Sequence, residues 1–169
     1  MAKEPKKLDE LFHDTLKDIY YAEKKIFAAL PKMAKAAQNP KLKAAFEKHH
    51  GETEKQISRL EEVFASIEKK PQGKKCAAIE GILEEGTEIM DEYKGAPALD
   101  AGLISSAQAV EHYEICRYGT LATWADEMGN TAGAKLLKAT LAEEENTDEA
   151  LSGLAKAVVN LAAQQEAAE

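Results

Sequence analysis

Apolar residues recur every three or four positions along most of this chain, which is the spacing of one face of an α-helix. The first stripe of this kind predicts a helix from Leu8 to about Lys35. Asn39 and Pro40 indicate a break after it, because asparagine suits a helix end and proline fits the first turn of the next helix.

The second predicted helix runs from Pro40 to about Lys69 and ends at the sequence Lys70-Pro71-Gln72-Gly73, since proline and glycine interrupt helices most strongly. Its inward stripe is apolar at both ends and polar in the middle. The polar positions are His49, Thr53 and Gln56.

Three further helices are predicted in the rest of the chain. A shorter one spans Cys76 to Tyr93, and two long ones span about Ala98 to Glu127 and Thr131 to about Gln164. Gly95-Ala96-Pro97 and Gly129-Asn130 separate them, and both sequences are typical of helix ends.

The lengths of the connections predict how the helices pack. The first and second long helices, and likewise the third and fourth, are joined by only a few residues, so each pair forms antiparallel neighbours. The second and third are separated by about 28 residues that contain the short helix. We therefore predict one all-α domain, a ferritin-like four-helix bundle with a single long crossover, whose core spans about residues 8–164 between short tails.

Composition supports this fold and excludes several functions. Apolar residues make up 44% of the chain and charged residues 31%, so the chain can bury a core. The net charge of −8 disfavours binding to nucleic acid. Neither a signal peptide nor an apolar run long enough to span a membrane is recognisable. Cys76 and Cys116 are isolated, and we predict two buried, reduced thiols.

Every long helix carries an acidic residue on its inward stripe, near the middle of the helix. A buried charge must be paired or bound to a metal, because an uncompensated charge in a core is too costly. These candidate ligands are Glu23 in the first long helix, His49 and Glu52 in the second, Glu111 and Glu114 in the third, and Glu144 and Asp148 in the fourth.

The spacing within each pair directs both side chains the same way, so the four helices could bring six carboxylates and one imidazole to one level of the core. Oxygen ligands with one nitrogen suit iron or manganese, and zinc could occupy the site in a purified sample. A solvated acidic helix face is the alternative interpretation of each pair. Tyr20, Tyr113 and Tyr118 are either hydrogen-bond donors near such a site or ordinary core residues.

Several motifs together resemble those of the YciF/YciE-like bacterial stress proteins, which are similar to rubrerythrins and ferritins in fold. The resemblance extends from about Leu8 to Leu154. It is carried by Leu16-Lys17-Asp18-Ile19-Tyr20-Tyr21-Ala22-Glu23-Lys24, His49-His50-Gly51-Glu52-Thr53, Cys76-Ala77-Ala78-Ile79-Glu80-Gly81, Glu111-His112-Tyr113-Glu114-Ile115 and Leu141-Ala142-Glu143-Glu144.

This resemblance implies a homodimer with a cytoplasmic role in stress response. It also implies ligand roles: Glu23 and Glu111 correspond to each other in the first and third long helices, and Glu52 and Glu144 form the bridging pair. Glu114 matches the additional carboxylate of rubrerythrins.

The sequence departs from the usual Glu-x-x-His motif in two helices. Glu52 is followed three residues later by Lys55, and Glu144 by Thr147. His49 lies one turn before Glu52, and Asp148 stands one turn after Glu144, where it could replace a histidine. A carboxylate-rich or empty site is therefore an open alternative.

Two functions follow as hypotheses. The first is a protein that binds two iron or manganese ions and reacts with dioxygen or peroxide under stress. No rubredoxin-like Cys-x-x-Cys sequence is present, so a peroxidase cycle would require an external electron donor. The second is a non-catalytic helical scaffold or interaction protein, dimeric, whose metal site is degenerate or empty.

Overall fold

A computed structural model describes residues 5–164 of the protein, and all regular structure in that range is helical. The predicted tails fall partly on residues 1–4 and 165–169, which lie outside the described residues. The elements are α1 (Leu8–Ala36), α2 (Pro40–Ser66), α3 (Ala77–Glu92), α4 (Leu99–Glu127) and α5 (Thr131–Leu154), then a π-helical segment (Ala155–Val159) and the single turn α6 (Asn160–Ala162).

Four long helices form the bundle, in which α1 and α5 each pack against both α2 and α4. At one end, Asp100 in the first turn of α4 accepts hydrogen bonds from the backbone N–H groups of Gln38 (2.8 Å) and Asn39 (2.7 Å) in the α1–α2 connection. At the other end, Asn130 donates to Ser66 Oγ at 2.8 Å. Hence α2 and α4 run in the same direction, opposite to α1 and α5.

The connection from Ser66 to Leu99 must therefore return along the whole length of the bundle. This is the single long crossover that characterises ferritin-like connectivity. The predicted fold class, an all-α four-helix bundle with a short fifth helix in the crossover, is confirmed.

The predicted breaks between helices are also confirmed. The Asn39 side chain accepts hydrogen bonds from the backbone of Lys41 and Leu42, with Pro40 at the first helical position. Asn130 caps α5 by accepting from the backbone N–H of Gly133. Gly129, just before it, has a φ of +73°, a conformation that glycine adopts without strain.

The crossover helix α3 packs against α1 and α4 through small residues. A Cβ atom at Gly102 of α4 would lie only 2.6 Å from Ile89 Cγ2 of α3, so this position requires glycine. Gly86 of α3 faces Ser106 of α4 with more room, because a Cβ atom there would lie 3.4 Å from the Ser106 Cβ atom, an ordinary van der Waals contact. Close approach to α4 thus compensates for the low helix propensity of a helix with two internal glycines.

Three details of the prediction were wrong. The predicted apolar stripe of the first long helix included Leu8 and Leu11, but these residues are 37% and 48% exposed, because the start of α1 extends beyond the packed stripe. Cys76 is buried, as predicted, but Cys116 is exposed. The last predicted helix does not continue as α-helix to Gln164, since π-helical geometry begins at Ala155.

Within residues 5–164, no helix is both long enough and apolar enough to cross a lipid bilayer.

Asp100 links the α1–α2 connection to α4, and this contact gives the first testable prediction. We expect Asp100→Ala to lower the free energy of unfolding by about 1–3 kcal/mol, because it removes a charged acceptor from two backbone donors. Chemical denaturation measures this. Asp91→Ala, which truncates an exposed carboxylate in α3, is the control and should change it by less than about 0.5 kcal/mol. Equal effects of the two substitutions would contradict the role of Asp100.

Candidate metal centre

Four buried side chains from three helices converge at one level of the bundle core. His49 of α2, Glu111 and Glu114 of α4, and Glu144 of α5 each offer one ligand atom, and these four atoms all lie within 4.8 Å of one another. We call these four residues the quartet. The four residues are at most 3% exposed, because each occupies a core position on the inward stripe of its helix.

His49 is at the centre of the contacts. Its Nε2 atom lies 3.3 Å from Glu111 Oε1 and 3.8 Å from Glu144 Oε2, and its Nδ1 atom lies 3.9 Å from Glu52 Oε2. The two ring nitrogens of one imidazole thus lie within 4 Å of three carboxylates. This arrangement brings together nitrogen and oxygen ligands of the kind that iron and manganese sites use.

The remaining long helix contributes Glu23, which is fully buried and adjoins Glu114. One of its oxygens accepts a hydrogen bond from the hydroxyl of Tyr118, also fully buried. Tyr118 therefore orients the Glu23 carboxylate, the donor role that the sequence left open for this tyrosine.

Burial sets the protonation of the metal-free site. It raises the pKa of Glu23, Glu111, Glu114 and Glu144 above the usual range for glutamate, because a charged carboxylate is poorly solvated in the core. The negative charge of Glu144 raises the pKa of the other three further, whereas His49 lowers that of Glu144. No Lys or Arg is buried among residues 5–164 to neutralise them.

Buried polar atoms that lack a hydrogen-bond partner concentrate at this level of the core. Native proteins satisfy nearly all such atoms, so a cluster of them requires an explanation. A bound cation would explain the cluster, because carboxylate oxygens and an imidazole nitrogen that receive no hydrogen bond could coordinate it. The unpartnered atoms, within the residues the structure describes, include Glu23 Oε2, both ring nitrogens of His49, Glu52 Oε2, Gln56 Oε1, Glu111 Oε2, both carboxylate oxygens of Glu114, and Glu144 Oε2.

A hydrogen-bonded network between α2 and α5 supports the quartet from one side. Gln56 donates to Glu144 and, at 3.1 Å, to Glu143. Arg59 binds both oxygens of Glu143 at 2.6 Å and also donates to Thr140. The sequence pattern placed Gln56 on the inward stripe but did not predict its contact with Glu144. Its position one turn beyond Thr53 on that stripe could have indicated this role.

Two predicted ligands, Glu52 and Asp148, border the quartet without belonging to it. Glu52 is half-buried; His49 and Lys48 hold its pKa low, at about 2, and Lys48 binds one of its oxygens at 2.6 Å. Asp148 is also half-buried and accepts from Gln108 at 2.9 Å, with His112 Nε2 at 3.4 Å. In the quartet, α2 therefore contributes His49 and not Glu52. Metal binding by all seven predicted residues stays a prediction.

Comparison with known proteins identifies the family. A family model described as "Domain of unknown function (DUF892)" matches residues 7–164. The chain belongs to this family. Protein YciF of Escherichia coli (strain K12) is 45% identical over 163 residues, which covers 96% of this chain and 98% of that protein. The family resemblance inferred from the sequence is confirmed.

Solved structures of relatives have the same fold. The crystal structure of the E. coli stress protein YciF matches with a TM-score of 0.88 at 45% identity, over 92% of this chain and 99% of that one. YcfI from Rhodopseudomonas palustris, described as a candidate structural protein, matches with a TM-score of 0.84 at 42% identity, over 90% and 97% of the two chains.

The raised pKa values of the four core glutamates predict how pH affects stability without metal. A carboxyl with a raised folded pKa stabilises the folded state fully below its unfolded pKa, and that stabilisation is lost as pH rises through the folded pKa. Metal-free protein should therefore gain stability from pH 7 to pH 5. We expect the melting temperature to rise by at least about 4 °C. His13, whose pKa is lowered by burial, should oppose this rise, but it is a single group against four glutamates.

Metal-loaded protein should respond to acid with the opposite sign, because bound cations require ionised carboxylates whose protonation releases the metal. Thermal melts of chelated and loaded protein measure both trends, and Glu114→Gln should flatten the trend of the chelated form. Parallel trends in the two forms would show that the core glutamates do not share a metal.

Proposed function

We propose that this chain is a stress-response protein whose bundle core binds two cations, iron or manganese. The observation that carries this proposal is the quartet, in which four buried ligand atoms lie within 4.8 Å of one another. Three carboxylates and one imidazole at this separation form a donor set that suits these metals.

Charge supports two ions rather than one. The four fully buried glutamates, Glu23 and the three of the quartet, carry a total charge of −4 when ionised, which two divalent cations neutralise. The quartet would hold one cation. Glu23, which adjoins Glu114, would hold a second together with Glu114 and Glu144.

The bound cations would supply redox chemistry toward dioxygen or peroxide. The chain itself positions the ligands and buries them in the bundle core. Tyr118 fixes one oxygen of Glu23, and Gln56 fixes one of Glu144, so both ligands are held in place before metal binds. Electrons for a catalytic cycle would come from an external donor.

The comparison with YciF supports the biological part of the proposal. That relative is called a stress protein, and the identity covers nearly the full length of both chains. We extend this role to the present chain as a homodimer in the cytoplasm, without a nucleic-acid or membrane partner. The net charge of −8 is consistent with the absence of nucleic-acid binding.

A second candidate function is a non-catalytic scaffold whose metal site is empty. Two observations favour it. The raised pKa values of the core glutamates would let protons replace metal as the means of neutralising the core. The related R. palustris protein is described as a candidate structural protein.

Metal content distinguishes the two functions. We expect protein loaded anaerobically with Fe²⁺ or Mn²⁺ and then desalted to retain about two ions per chain, measured by mass spectrometry of the metal. Glu144→Ala and His49→Ala should each weaken binding by at least about 100-fold, because even residues that only support ligands contribute about 10–100-fold. Circular dichroism should show unchanged helix content.

Glu145→Ala is the matched control, because it truncates an exposed carboxylate adjacent to Glu144 in the same helix and should retain the metal. A wild-type protein that retains far less than one ion per chain would support the scaffold instead. Full metal retention by both quartet variants would show that the cations bind elsewhere.

A further inference from the structure

A small cavity between α2 and α5 leads from the surface to the quartet. Its volume is about 60 Å³. His49 and Glu111 of the quartet form part of its wall, and both present buried atoms that have no hydrogen-bond partner. The polar residues that line it are Lys48, His49, Glu52, Glu111, Asn146 and Thr147.

Glu52 spans this cavity from solvent to core. Its Oε1 atom accepts from Nζ of Lys48, whose side chain is 69% exposed. Its Oε2 atom is buried, has no hydrogen-bond partner and lies 3.9 Å from Nδ1 of His49. One carboxylate thus faces solvent with one oxygen and the metal centre with the other.

The opposite side of His49 and Glu111 lacks polar groups of this kind. A void of about 10 Å³ there is otherwise lined by apolar side chains, among them Ile26, Leu83 and Val110. A cation that approached from this side would lose its hydration without gaining oxygen ligands, which is energetically costly. The α2–α5 cavity is therefore the polar approach to the quartet.

We propose that Glu52 receives a hydrated divalent cation at the surface and delivers it through the α2–α5 cavity to His49 and Glu111. This inference rests on the proposed metal-binding function. It assigns Glu52 a transfer role instead of the bridging-ligand role that the family resemblance implies.

The size of the cavity is consistent with this role. At about 30 Å³ per water molecule, 60 Å³ holds about two waters, so a cation must shed most of its hydration shell on the way. Oxygen atoms of Glu52, Asn146 and Thr147 are available to replace that water. Lys48 holds Glu52 at the opening, and its positive charge opposes an arriving cation.

The rate of metal uptake tests the proposal. Metal-free protein is mixed with excess Co²⁺ in a stopped-flow spectrometer, and the absorbance of the bound ion gives the rate. Metal analysis then gives the final stoichiometry. We expect Glu52→Gln to slow uptake by at least about tenfold with an unchanged final stoichiometry, since a carboxylate at an opening accelerates cation association. Lys48→Gln should accelerate uptake.

Glu47→Gln is the matched control, because Glu47 is an exposed carboxylate of α2 in an i, i+4 pair with Lys43 and does not line this cavity. Its uptake rate should equal that of the wild type. Equal rates in Glu52→Gln and Glu47→Gln would overturn the transfer role. A lower final stoichiometry in Glu52→Gln would overturn it as well, because Glu52 would then be a ligand. Absence of uptake by the wild type would instead overturn the proposed function itself.

Discussion

The structure depends on one electrostatic constraint, which is the burial of four carboxyl groups, three of them grouped with one imidazole, in a core without a buried Lys or Arg among the described residues. Ionised carboxylates in such an environment lose their hydration and repel one another. Either protons or cations must neutralise them. The polar middle of α2 follows from this constraint, because an apolar residue in place of His49 would leave the facing glutamates without a partner.

The residues around the core glutamates act to hold them in fixed positions. Tyr118 donates to Glu23 from within the core, and the Gln56, Glu143 and Arg59 network holds Glu144 from the α2–α5 side. A flexible cluster of buried acids would turn toward water. Here the bundle supplies donors to one oxygen of two different glutamates and leaves other oxygens free, which is the arrangement that a metal ligand requires.

Much of this could be predicted from the sequence, because helix periodicity and capping are local. Asn39 and Asn130 indicated the correct helix starts, and Glu111 and Glu114, the predicted inward positions of α4, are both buried. The roles of individual ligands could not be predicted in the same way. At about 100° per residue, Glu52 is rotated by about 60° from His49 around α2, whereas Gln56 is rotated by only about 20°. Gln56 therefore faces the core and Glu52 lies at its edge, a distinction that depends on how the helices are rotated against each other.

Anomalous X-ray scattering would show whether the quartet binds metal. Crystals of protein loaded anaerobically with Fe²⁺ would be measured on both sides of the iron absorption edge. We expect an iron-specific peak enclosed by His49, Glu111, Glu114 and Glu144, with a second peak beside Glu23. A map without iron among these side chains, in which waters or direct hydrogen bonds between carboxyl groups occupy the space, would contradict it.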